Sequence, residues 1–342
     1  MLNKVGPIVQ AGLRPEIGQY YYWVDSNFRT AAQGWTRADG TGPLDLWAAR
    51  NPGHVFFTPE TGNPSTTYSS QSTSFTAAMD EMINFRGDTL FVTPGAYTLG
   101  TVLTWDVPYA TIRGPETKAP FYGCSPRVRN ASITMGVATT GTILLGADAD
   151  GLEVAHLRFV PTSAAPCFTA NAVAQNMHFH DYMWDTVGIA TDAGTEFMDV
   201  ITTSDAIEYA QFEHFTLLAD AAMGPMLNID VAQHFVALNN FYIQGAETVG
   251  TWATALIDYS LDGVDGISIC DGLVHVSLAG AGAISVLITG AAQTGTSVIQ
   301  VSKVYGSIGL TAIAGGTAGD ADLLNNYIAT TEGGTGGTLY TT

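Results

Sequence analysis

Cations are scarce in this chain. Over 342 residues, 12 Lys+Arg stand against 31 Asp+Glu, a formal net charge of −19 with a pI near 4.4. Binding nucleic acid through the bulk surface needs a basic footprint, so that class is excluded. Charge of either sign is low, at 13%, while hydrophobic residues reach 46% and aromatics 10%, which is not a disordered composition. The three cysteines, Cys124, Cys167 and Cys270, are odd in number and far apart, which argues against a disulfide framework or a zinc site. Long hydrophobic runs are missing as well. The longest apolar region, 279–292, is broken by Gly280, Gly282 and Gly290 and falls short of a membrane span. The first seven residues, Met1 to Pro7, carry no apolar stretch, so no signal peptide is expected.

What is present is unevenly placed. Residues 1–158 hold 11 basic and 13 acidic side chains, whereas 159–342 hold Lys303 against 18 acidic ones. The near-neutral half is read as meeting a partner and the acidic half as more solvated. Mean hydropathy is +0.17, high for a soluble monomer, and points to burial against other chains.

Residues 1–73 are rich in Gly, Pro, Thr and aromatics without periodicity, and are read as an extended N-terminal arm. A short capping helix is expected over 76–85, with Ser74 or Thr76 at its start and Ala78, Met82 and Phe85 at helical spacing. A turn, a short apolar strand and a Pro-Gly turn then follow over 86–97. From there an internal repeat governs the chain. Seven segments read apolar-x-apolar-x-polar-apolar, starting at Leu152, Met177, Ile207, Val236, Ile267, Ile299 and Asp322, the last breaking the pattern at its first position. The polar place falls on His156, Asp181, Gln211, Asn240, Asp271, Lys303 and Asn326. A second strand series, from Thr142–Leu145 to Leu310–Ile313, interleaves with the first at about the same period. Two or more short strands per repeat of about thirty residues, with no helical stripe, fit an all-β right-handed parallel β-helix over 74–342. The apolar columns then point inward and the polar column lies in a turn.

The stretch Arg86-Gly87-Asp88-Thr89-Leu90-Phe91-Val92-Thr93-Pro94-Gly95-Ala96-Tyr97, with a helix before it, resembles the opening rung of pectate-lyase-like β-helices. The head Tyr22-Trp23-Val24-Asp25 and the Asn-Asn pairs at 239–240 and 325–326 resemble virion proteins of tailed bacteriophages. That resemblance implies a homotrimer located in the virion.

Chemistry in the sequence is sparse. Pectate lyases use a basic residue and an acidic Ca²⁺ cluster; beyond Arg158 only Lys303 is basic, and the acidic half repels an anionic glycan. Hydrolysis of a neutral glycan needs two carboxylates, and the best constellation is the outward column Glu153, His178 and Glu208, with acids two rungs apart at roughly 9.6 Å. His178 and His180 form an H-x-H pair with no accompanying Cys, and Asp262-Gly263-Val264-Asp265-Gly266 and Asp320-Ala321-Asp322 lack calcium-loop spacing. These residues are read as solvent-facing or turn positions, so no catalytic, cofactor or metal residue is assigned. The expectation is a non-enzymatic virion structural protein, foremost a capsid decoration protein. Its arm would hold the major capsid protein or another virion protein, with no nucleic acid or membrane partner. The alternative is a fibre or tailspike that binds or hydrolyses a host surface glycan.

Overall fold

The computed structural model describes the backbones of Tyr20–Tyr21 and His54–Thr58 and, from Phe75 to Ile328, most of the chain. Segments such as 115–130, 187–195, 201–205, 246–255, 276–285 and 329–342 lie outside the described residues. So do most of the arm, the Asp262–Asp265 stretch and the Gly-rich tail.

Among the described residues every strand pairing is parallel, and a turn of the coil contributes three strand segments, the first two merged into one long strand in later turns such as that of Val236–Gly245. In one turn these are His178–His180, Met183–Asp185 and Met198–Val200. The first two lie in a seventeen-stranded sheet, and the third joins an eight-stranded sheet that runs from Leu103–Trp105 to Thr311–Ala314. This is a right-handed parallel β-helix, as the repeat predicts. Strands as short as three residues hold because each lies between rungs on both sides, so their peptide groups bond to neighbours at a spacing of about 4.8 Å. Tyr20–Tyr21 pairs with His54–Val55, and Val55–Thr58 pairs with Thr89–Val92, so two strands from the first 73 residues extend the ladder.

The corners are set by backbone that L-residues rarely adopt. His156, Asp181, His214, Asn240, Asp271 and Lys303 all have φ between 51° and 58° and stack in one column. Asn, Asp and His tolerate this left-handed geometry better than other side chains, which is why the column is polar. The register corrects the sequence analysis at two repeats. His178 pairs with Gln211, so the third repeat starts at Ala210 rather than Ile207, and its corner residue is His214 rather than Gln211. Ile299 pairs with Ala321, so the last repeat starts there rather than at Asp322. The helix is also shorter than 76–85: Phe75, Thr76 and Met79 are helical, but Asn84 and Phe85 form a turn, with Phe85 at φ 60°. Phe85 therefore points to solvent instead of joining Phe75, Met79 and Met82 in the core.

Inside, aromatic rings stack from rung to rung. Phe179 lies on Phe212 with centroids 5.1 Å apart, Tyr182 on Phe215 at 5.3 Å, and Phe215 on Phe241 at 5.4 Å. The last of these columns stops at Gly272, where a Cβ would come within 2.1 Å of the Phe241 ring. Glycine at this one core position thus makes room for the ring below. Gly272→Ala should cost about 1–3 kcal/mol through overpacking, read as a lower urea midpoint at unchanged slope. An unchanged midpoint would mean that Phe241 does not occupy that space.

Candidate functional site

Period-two alternation places the middle residue of each first strand inside and its two neighbours outside. Phe179 is buried between half-buried His178 and His180. On the rung before, the outward pair is Glu153 and Ala155; on the rung after, Gln211 and Glu213. Glu153 and His178 therefore do share a column, as expected. Glu208 does not: it precedes the strand, and its carboxylate accepts from the Gln175 side chain. The second acid on this face is Glu213, one column across, which the misplaced third repeat concealed.

These side chains form one linked track. His180 Nε2 lies 2.9 Å from Glu153 Oε1, and its Nδ1 lies 3.0 Å from Asp181 Oδ2. Thr111 Oγ1 donates to Glu153 Oε2 at 3.3 Å. His178 and His180 lie ring to ring at 4.6 Å. His178 Nε2 stands 3.3 Å from Glu213 Oε2, and Asn239 Nδ2 donates to Glu213 Oε1 at 3.2 Å. The track is outward-facing but not loose, because every group on it is fixed by a neighbour one rung away.

The electrostatics follow from these contacts. Burial disfavours charge on His180, but hydrogen bonds to Asp181 and Glu153, with their negative charges, outweigh it and push the pKa up to about 9. Glu153 is held below the usual carboxylate range, first by its hydrogen bond to His180, against burial, and further by the charges of His180 and Arg113. At neutral pH the centre is therefore an imidazolium between two carboxylates. His156, His180 and Asp181 bring ligand atoms within 4.8 Å of one another, a donor set of the type that holds a divalent transition metal. Both nitrogens of His180 face carboxylates in this arrangement, so the geometry favours the proton over a metal ion there. The H-x-H pair thus has a place in the site, as a bridge between acids.

Cys167 is buried and Cys270 half-exposed, and both are free thiols. Cys270 Sγ contacts Asn239 Oδ1, which helps to orient the amide that meets Glu213.

No protein-family model matches the chain, and no curated protein matches it by sequence. Solved structures do. A pectin methylesterase from Aspergillus niger aligns at 12% identity and TM-score 0.42, over 79% of this chain and 85% of that one. The tailspike protein of Acinetobacter baumannii phage AM24 aligns at 11% identity and TM-score 0.38, over 75% of this chain. The present chain spans about half of the tailspike, 51%. The catalytic unit of an α-1,3-glucanase from Streptomyces thermodiastaticus aligns at 12% identity and TM-score 0.29, over 76% of this chain and 65% of that one. The likeness is one of fold, the β-helix already described. It corrects the expectation of a non-enzymatic protein: the solved structures similar to this chain are mostly glycan-active enzymes, alongside phage proteins.

Proposed function

We propose that this protein is a β-helical, tailspike-type virion component that hydrolyses a glycan on the host surface, with Glu153 and Glu213 as its acid–base pair. The observation that carries the reading is the track Glu153–His180–His178–Glu213 on the outward strand face. Glu153, kept ionised by His180, takes the proton of a water that adds to the anomeric carbon. Glu213 gives a proton to the departing glycosidic oxygen, and the C–O bond breaks. The two acids stand on rungs two apart, roughly 9.6 Å along the axis, near the upper end of the separation used by inverting hydrolases. Asn239 and His178 orient the donor, and His180 and Thr111 orient the base. The phage setting and the homotrimer rest on the sequence resemblance, and association with other chains also on the high mean hydropathy.

The test is release of reducing ends from capsular and lipopolysaccharide glycans of candidate hosts. Glu153→Gln and Glu213→Gln are each expected to lower the rate by about 10²-fold or more, with the fold unchanged by circular dichroism. Unaltered cleavage in both variants would overturn the assignment.

A further inference from the structure

A second left-handed column borders the same face, one or two residues before each first strand. It carries Tyr109, Asn176, Tyr209 and Phe235, with φ between 48° and 59°. A turn of this kind suits Gly or Asn, so bulky rings there carry backbone strain that burial in the core does not offset. Tyr209 and Phe235 are 46% and 54% exposed. They nevertheless stack on each other, with planes 7° apart and centroids at 5.5 Å, a two-ring aromatic column open to solvent. The next rung has Gly266, where a Cβ would sit 2.8 Å from the Phe235 ring, so the sequence leaves space for the end of the column.

A cleft of about 280 Å³ opens beside the rings. Ala237 lines it, and its polar groups come from Gln211, Ser268 and Gln300, with no charged side chain among the lining residues. It continues the acid–imidazole track without a break: Gln211 is the register partner of His178, and Ala237, Ser268 and Gln300 follow on successive rungs.

We propose that this cleft is a subsite for an uncharged stretch of glycan, packed against the exposed surface of Tyr209 and Phe235 and running along the solenoid axis toward Glu213. The inference rests on the glycan reading above and adds the substrate class. A pyranose offers apolar C–H faces and hydroxyls at its edge, which matches exposed aromatic surface bordered by amides and a hydroxyl. An anionic glycan finds no cation in this cleft and a chain of net charge −19 around it.

Binding is measured by calorimetry with the full chain in the Glu213→Gln background, against uncharged glucan, galactan and mannan oligosaccharides and against polygalacturonate. An uncharged oligosaccharide is expected to bind, and Tyr209→Ala and Phe235→Ala are each expected to weaken it at least about tenfold. Tyr209→Phe should retain affinity, while Gly266→Val, which displaces the Phe235 ring, should lose it. Affinity unchanged in both alanine variants overturns the subsite, as does binding of polygalacturonate alone or of no probe. A shift to smaller species in sedimentation on Phe235→Ala also overturns it, since the rings would then belong to an interface between copies. The hydrolysis reading fails separately, if reducing-end release survives Glu153→Gln and Glu213→Gln.

Discussion

Phe179→Ala is expected to lower stability by about 3–5 kcal/mol. Its ring is fully buried and meets Phe168 at 5.2 Å, Phe212 at 5.1 Å and Phe197 at 5.9 Å, with Tyr182 at 6.4 Å. Four of its neighbours are aromatic rings, stiff side chains that refill such a space poorly. The cavity therefore persists and its cost adds to the lost transfer free energy. In a solenoid each rung contacts only its neighbours, so the damage also weakens coupling between the halves on either side. Urea unfolding followed by near-ultraviolet circular dichroism, which reports the aromatic cluster, measures the loss. A broadened or split transition is expected beside the lower midpoint. A loss under about 1 kcal/mol would show that the rings do not pack as described. His178→Ala, one residue away but facing outward, serves as the comparison and should not create an internal cavity.

The same alternation that buries Phe179 made most of the fold legible. Apolar residues at every second place, a polar residue two places past the central one and a period near thirty define a stacked coil, and the structure has it. The register was less legible for a specific reason. Ile207-x-Tyr209-x-Gln211-Phe212 and Ala210-x-Phe212-x-His214-Phe215 both satisfy the pattern, three residues apart. The corner distinguishes them: it needs a residue that tolerates positive φ, and His does so better than Gln. Anchoring on that property places Glu213 beside His180 and removes Glu208 from the column. The second strand of each turn was hidden because it follows the corner after only one or two residues, so that Val236–Gly245 and Gly266–His275 read as single segments. The exposed ring pair was the hardest to find. Tyr209 and Phe235 are ordinary core residues by composition, and only the backbone turn shows that they point outward.

Stability should also depend on pH in a way that isolates the centre of the site. His180 is flanked by Glu153 and Asp181, with the His178 ring at 4.6 Å and the His156 ring at 5.8 Å. Its pKa rises from 6.5 to about 9, so the folded state holds this proton more tightly than the unfolded chain. The stabilisation is complete below 6.5 and is lost as pH climbs through about 9. The rise corresponds to about 3 kcal/mol, and solvent screening of a partly exposed ring reduces this to about 2–3 kcal/mol. Glu153 reports the same contact from the other side: its lowered pKa contributes stability above 4.5 that is lost as pH falls through the lowered value. The two are one interaction and do not add. The difference in unfolding free energy between the native chain and His180→Asn, which carries no titrating ring, should therefore be greatest between about pH 5 and 6.5 and shrink by about 2–3 kcal/mol by pH 10. Taking the difference cancels the general repulsion of an acidic chain, which affects both proteins alike. A difference that stays flat from pH 6 to 10 would mean that His180 is neutral in the fold, and Glu153 would then lack the partner that keeps it ionised for the proposed role as base.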